Sequence, residues 1–195
     1  MSTPVYISLG CDCSVSYQLN ELGLRTSAMP FDWMSITNLD RLQRILENDF
    51  ENFTNFEYYT FTEQSDKFNY EKNDTLTSNM VSLVKMVHNV YKFTLPHEHY
   101  NKLFNIDIFQ SKYSRRIERF RNIVRDETQH KIFIRLSNTK EIKNIQKLEK
   151  SLLNYGCNNF QIKFINMDNY TDLIDQTIVF NWIRNYIPWK TLLLG

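Results

Sequence analysis

The apolar stretch Val5 to Leu9 (VYISL) is short, rich in branched residues and closed by Gly10, which predicts a buried strand. Past that break, Val15, Leu19 and Leu22 recur at helical spacing. A helix is therefore expected over Ser14 to Leu22, and Gly23 stops it. Asn38 or Thr37 is placed to cap a second helix, Leu39 to Leu46, with Leu42, Ile45 and Leu46 inward. From Asn48 to Phe61 the pattern dissolves into closely spaced aromatics. Thr62 to Thr77 is the most polar stretch and reads as a surface loop or hairpin. Met80 to Val90 fits a helix or a buried strand equally well, and Val90 to Thr94 alternates. Pro96 then leads into His97-Glu98-His99.

The longest helical pattern covers Ile106 to Val124. Lys131 to Leu136 is an apolar run with Arg135 embedded, expected as an inner strand. Lys140 to Leu153 predicts one amphipathic helix, with Ile142, Ile145, Leu148 and Leu152 or Leu153 as its stripe. Phe160 to Ile165 is another strand. Ile178 and Val179 are a further candidate strand, and Trp182 to Tyr186 a short last element. Strands that alternate with helices argue for an α/β or α+β sheet with helices on its faces.

A chain of 195 residues can bury a substantial core. Its 42% apolar and 23% charged residues are ordinary for a globular protein, whereas 14 Phe and 11 Tyr give it an aromatic-rich interior. A formal charge of +1 supplies no general attraction to nucleic acid or an anionic membrane. The basic cluster Lys112, Arg115, Arg116, Arg119 and Arg121 alternates with Ile117, Phe120 and Ile123, so it reads as the solvated face of a helix. The opening MSTPVYISLG lacks a basic region followed by a long apolar one, and no apolar run is long enough to span a bilayer. Three cysteines without a secretion signal point to reduced thiols and a cytoplasmic location.

Cys13 stands where the first helix begins. Unpaired N–H groups and the positive end of the helix dipole favour a thiolate there, so it is the leading nucleophile candidate. Its blander reading is a small buried thiol, and Cys11 and Cys157 are read that way. A base must be brought in by the fold. His97 and His99 fall on one side of an extended segment, with Glu98 on the other. His88 and His130 read as incidental. Cys11, Cys13, His97 and His99 could also make a Cys2His2 metal set, but the C-x-C spacing is tighter than zinc sites use. No metal and no cofactor is therefore expected. Phe31 and Trp33 flank a single acid, Asp32. Both rings are expected to be buried, with Asp32 accepting hydrogen bonds from backbone N–H groups, Arg25 or Arg135.

The stretch ISLGCDCSVSYQLNELGLRTSAMPFDWMSI resembles the opening of an uncharacterised family described as papain-like cysteine peptidases, found in bacteria and large DNA viruses. That opening reads I-S-L-G-x-x-C-x-x-A-x-x-L-x-x-x-G-L-R, then P-F-D-W. Gly10, Cys13, Leu19, Gly23, Leu24, Arg25, Pro30, Phe31, Asp32 and Trp33 fill it, with Ser16 in place of Ala. Weaker matches follow in order. They are His97-Glu98 for the family's His-Asp, YSRRIERF (Tyr113 to Phe120) and IFIRLS (Ile132 to Ser137). The resemblance implies a single papain-like domain over residues 1–195, with the nucleophile heading the first helix. It makes Cys13 the nucleophile and His97 the base, with His99 the alternative base. Asp32, which could instead be structural, or Asn138 would be the third member. The implied reaction is attack on an amide, ester or isopeptide carbonyl of a peptide or protein substrate, in the host cytoplasm if the chain is viral. The competing expectation is a non-catalytic interaction module on the same fold, such as a viral protein that binds a host partner.

Overall fold

A computed structural model of the chain describes residues 3–64, 70–72, 75–77, 83–99, 105–173 and 184–195. Its organising element is a three-stranded parallel sheet in the order β1-β7-β8: Val5–Ser8, Lys131–Ser137 and Phe160–Asn166. Val5 pairs with Lys131 and Ser8 with Ile134, while Lys131 to Ser137 pair with Phe160 to Asn166. The central strand β7 is buried at every position, which is why it reads as a continuous apolar run interrupted only by long cationic side chains. Its alternation divides the core. Ile132, Ile134 and Leu136 join one cluster with Val15, Leu19, Ile165 and Trp189. Phe133 joins the other, which is dominated by aromatic rings.

Helix α1 (Ser14–Glu21) packs on β1 and β7. Helix α2 (Leu39–Glu47) starts at Asn38, whose side chain accepts from the Asp40 N–H at 2.8 Å, and packs on α5 (Ile145–Asn154). Helix α3 (Ile106–Arg125) buries Phe109, Tyr113, Ile117, Phe120 and Val124, a stripe at helical spacing. Its cations lie on and beside the outer face: Arg116 stacks over Tyr113, and Arg121 pairs with Asp49 at 3.0 Å.

A second sheet is antiparallel, in the order β2-β5-β6: Tyr59–Gln64, Leu83–His88 and Thr94–His99. The ambiguous segment before Val90 is thus a strand from Leu83 onward. A hairpin, β3 (Tyr70–Lys72) and β4 (Thr75–Thr77), occupies the polar stretch. Within the alternating stretch Val90 to Thr94, Val90 to Lys92 form a turn and the strand starts only at Thr94. The Nδ1 of His88 accepts from the N–H groups of Val90 (3.2 Å) and Tyr91 (3.3 Å), and Lys92 takes φ +56°. A side chain bonding local backbone outcompetes the ladder there.

One further expectation is corrected. The single helix over Lys140 to Leu153 is two, α4 (Thr139–Ile142) and α5 (Ile145–Asn154). The break lets Glu141 turn inward to Arg135 while Leu148 and Leu152 stay in the core. The last described helix is α6 (Trp189–Leu194), which begins after Pro188, a residue suited to a helix start. The candidate strand at Ile178 and Val179 and the start of the short element expected at Trp182 to Tyr186 lie outside the described residues.

Arg135 is the buried charge at the centre. Its guanidinium donates to the Leu9 carbonyl (3.0 Å), the Ile36 carbonyl (3.0 Å) and Glu141 (2.7 Å) with no solvent exposure. Glu141 also accepts from Ser137 at 2.6 Å. The guanidinium therefore ties three segments to the carboxyl end of the parallel sheet.

His88 gives the fold a pH signature. Its ring lies among Phe53, Tyr59, Tyr91 and Phe93, and with Nδ1 accepting two N–H groups its proton resides on Nε2, which donates to the Asn52 carbonyl at 3.1 Å. Burial holds its pKa below the usual 6.5. The native ring therefore takes up its proton at a lower pH than the unfolded chain does. Stability should fall as the pH drops from 7 to 5, by at most ~1.4 kcal/mol per unit for this one proton. Urea titrations at several pH values check this. His88→Asn should be less stable throughout but flatter across that window; an identical slope would assign the dependence to another group.

Candidate active site

The parallel strand β1 ends at a tight reversal. The Leu9 N–H still reaches the Ile134 carbonyl at 2.9 Å, and then Gly10 takes φ +75° and Cys11 φ +87°. A Cβ on Gly10 would fit against Ile36 at 3.6 Å, so its positive φ rather than crowding calls for glycine. At Cys11 the left-handed backbone carries a side chain, a strain of about 1–3 kcal/mol that surrounding contacts must hold. Asp12 ends the reversal. Its Oδ1 accepts from the Ser14 N–H at 2.9 Å and from the Ser14 hydroxyl. Its Oδ2 accepts from Arg184 Nε (2.9 Å) and Nη2 (2.7 Å).

Cys13 follows, the last residue before α1, with its carbonyl accepting from the Tyr17 N–H at 3.0 Å. The expected helix-start position and the packing of that helix on β1 are both present. The expected low thiol pKa is not. Only 4% of Cys13 is exposed; burial above all, then the charges of Asp12 and Asp32, push its thiol up to about 12. Desolvation outweighs the dipole of a helix eight residues long. Cys11 is pushed up to about 11 by burial and Asp12, against opposing pulls from Arg135 and Arg184. Burial likewise raises Cys157 to about 11. The two guanidiniums at this edge of the sheet thus act on Cys11.

Asp32 is buried and fully engaged. It accepts from Ser16 Oγ (2.9 Å), Arg25 Nε (3.0 Å) and the Met29 N–H (2.9 Å), and Arg25 Nη2 completes the ion pair at 3.0 Å. Ser16, where the resembling pattern has Ala, is therefore a donor and not a neutral replacement. The cation at Asp32 is Arg25; Arg135 belongs to Glu141. Phe31 is fully buried, its ring 5.4 Å from Phe50 and 5.5 Å from Phe120. The expectation that Trp33 is buried too is corrected. It is half-exposed at φ +59°, with the Arg25 guanidinium 5.7 Å from its ring centre.

His97 and His99 lie in β6, and their side chains fall outside the described residues. The start of that strand is joined to the Asp32 loop: Ser35 and Thr94 exchange backbone hydrogen bonds of 2.8 and 3.0 Å. Asn138 caps α4, accepting from the Glu141 N–H at 2.9 Å. His130 precedes β7, at the sheet end opposite Cys13, and contacts Asn159 at 2.9 Å. Among the described residues no group of three or more His, Cys, Asp and Glu could hold a metal ion. Nor is any described helix long and apolar enough to cross a membrane.

Sequence reasoning missed Asp12, Arg184, Glu141 and the donor role of Ser16. Only Asp12 carried a local signal, an acid just ahead of a helix start. Replacing Asp32 with Ala strands Arg25, Ser16 and a buried N–H at once, so the stability loss should be about 3 kcal/mol. Thermal or urea unfolding reads it; a loss under about 0.5 kcal/mol would mean that the acid is not structurally committed.

Comparison with known proteins agrees with the resemblance. The family model described as "Putative papain-like cysteine peptidase" matches residues 4–170. The chain is also 28% identical to "Uncharacterized protein R408" of Acanthamoeba polyphaga mimivirus, over an alignment covering 98% of this chain and 97% of that protein. No solved structure matches. With Gly10, Cys13 and the Pro30-Phe31-Asp32-Trp33 loop converging at one edge of the sheet, and the family model spanning most of its length, the chain belongs to this papain-like cysteine peptidase family.

Proposed function

We propose that the chain is a thiol hydrolase in which Cys13 attacks an amide, ester or isopeptide carbonyl of a peptide or protein. The observation that carries this reading is the position of Cys13 as the last residue before α1, at the carboxyl end of β1. N–H groups in the first turn of a helix have no partner within the helix; Asp12 takes that of Ser14, and those that follow it are the donors for an oxyanion formed beside this sulfur. His97 is the base, with His99 the alternative. Its strand is tied through Thr94 and Ser35 to the loop of Asp32, which bonds Ser16 on the same helix as the nucleophile. In the reaction the Cys13 proton passes to the imidazole and the thiolate adds to the carbonyl carbon. The tetrahedral intermediate collapses to a thioester as the imidazolium protonates the leaving group. Water, deprotonated by the same imidazole, releases the acid and restores the thiol. Asp32 and Asn138 already have structural partners, so each serves as a tie.

The resting thiol is protonated, so charge separation must accompany substrate binding and base engagement. That same burial favours a second reading, an interaction module that has kept the family's fold without turnover.

A panel of fluorogenic peptide and ubiquitin-type amides, with iodoacetamide labelling read at each cysteine by mass spectrometry, separates the two. The hydrolase reading expects Cys13→Ser to abolish turnover and His97→Ala to reduce it by about a thousandfold. It also expects His97→Ala to flatten the pH dependence of labelling at Cys13. If His99→Ala does this instead, the base is His99. Equal labelling of all three cysteines, insensitive to both histidines, would leave the interaction module.

A further inference from the structure

Arg184 lies beyond residues 4–170, the part matched by the family model, yet it reaches the loop that carries the proposed nucleophile. Its guanidinium grips one oxygen of Asp12 through Nε and Nη2, at 2.9 and 2.7 Å, and donates through Nη1 to the Tyr186 hydroxyl at 3.0 Å. The backbone of Arg184 is left-handed, φ +54°, which a long side chain rarely adopts. The surroundings hold it there. Trp189 Nε1 donates to the Arg184 carbonyl at 2.8 Å, and the Ile187 N–H reaches the same oxygen at 3.0 Å. Gln18 of α1 donates to Asn185 at 2.9 Å. Trp189, Ile187 and Leu193 are buried in the same cluster as Val15 and Leu19 of α1. This segment is therefore docked on the nucleophile's helix, and local strain is accepted where it aims one cation at one carboxylate.

The carboxylate matters because of its neighbour. Asp12 both caps the first turn of α1 and stands next to Cys13, where an uncompensated negative charge opposes a thiolate. We propose that Arg184 is a positioning residue for the Cys13 reaction, neutralising Asp12 and holding the Gly10–Cys13 loop through an ion pair in which two N–H groups converge on one carboxylate oxygen. The inference rests on the thiol hydrolase reading and extends its machinery into the carboxyl-terminal segment. Among the described residues, the charged groups that act on the two loop thiols are these. Cys13 faces Asp12 from its own loop and Asp32 from the Pro30–Met34 loop, the latter paired with Arg25. Cys11 faces Asp12, Arg135, Glu141 and Arg184.

The test is the rate of iodoacetamide labelling at Cys13 between pH 7 and 9, which follows the thiolate fraction, in the full chain and its variants. Arg184→Gln leaves Asp12 uncompensated and should slow labelling about threefold or more, half a pKa unit. Arg184→Lys should recover much of the loss. Asp12→Asn keeps an acceptor for the Ser14 N–H but removes the charge, so it should speed labelling. In that background Arg184→Gln should have little further effect. A purely structural ion pair gives the opposite sign, because loosening the loop exposes a buried thiol and speeds labelling. Unchanged or faster labelling in Arg184→Gln, or equal slowing with and without the Asp12 charge, would overturn the proposal. If Arg184→Gln does not fold, Arg184→Lys decides: it keeps the charge, so labelling no faster than the parent's supports the proposal and faster labelling would overturn it. Hydrolysis is scored separately. Loss of the hydrolase reading would show as no turnover in the parent chain, while the labelling series would still report on Arg184.

Discussion

A single buried guanidinium sets the geometry from which the rest follows. Arg135 sits on the central strand of the parallel sheet, on the face that looks toward the aromatic cluster. From there it bonds the last carbonyl before Gly10, the carbonyl of Ile36 and the carboxylate of Glu141. Burying such an ion costs several kcal/mol, which only good partners offset. Those partners are contributed by the loop after β1, the segment leaving the Asp32 loop and the short helix α4. The cost of burying one charge is thus met only when two distant segments and the neighbouring helix α4 arrive together. That convergence places Cys13 and Asp32 at one edge of the sheet. It also explains why α4 is separated from α5: a continuous helix would carry Glu141 with the stripe of α5, not toward Arg135.

The same convergence accounts for the state of the thiol. Cys13 is closed in by α1, by its packing on β1 and β7, and by the Asp32 loop, so desolvation dominates its protonation. In isolation, a helix start promises a reactive sulfur. In this fold the acids that order the loop, Asp12 by capping and Asp32 by bonding Ser16, also press against ionisation. The chain answers each acid with an arginine, Arg184 and Arg25. Structure and chemistry are coupled through these two ion pairs: the groups that hold the nucleophile in place also set how readily it ionises.

What the sequence discloses is local. The Val5–Gly10 break, the stripe of α3 and the apolar β7 depend on periodicity within one segment, and they appear as read. The buried Asp32 was legible because two aromatics bracket it, although Trp33 stays half-exposed under the Arg25 guanidinium. The features that escaped depend on partners chosen at a distance. Arg184 meets Asp12 across a separation of 172 residues, and no spacing rule announces it. His88 is the local exception: its ring bonds backbone N–H groups two and three residues on and makes a turn of Val90 to Lys92, which period-two alternation cannot reveal. The low thiol pKa that a helix start promises is absent because burial is a property of the assembled core.

Backbone hydrogen exchange in Arg135→Lys tests the central role of the buried guanidinium most directly. Lysine keeps the charge but cannot span the Leu9, Ile36 and Glu141 oxygens with one planar group. The account expects faster exchange confined to amides of the Leu9–Ser14 loop, the segment around Ile36 and α4, with the β2-β5-β6 sheet unchanged. Uniform acceleration across both sheets, or no change at the Cys13 loop, would contradict it.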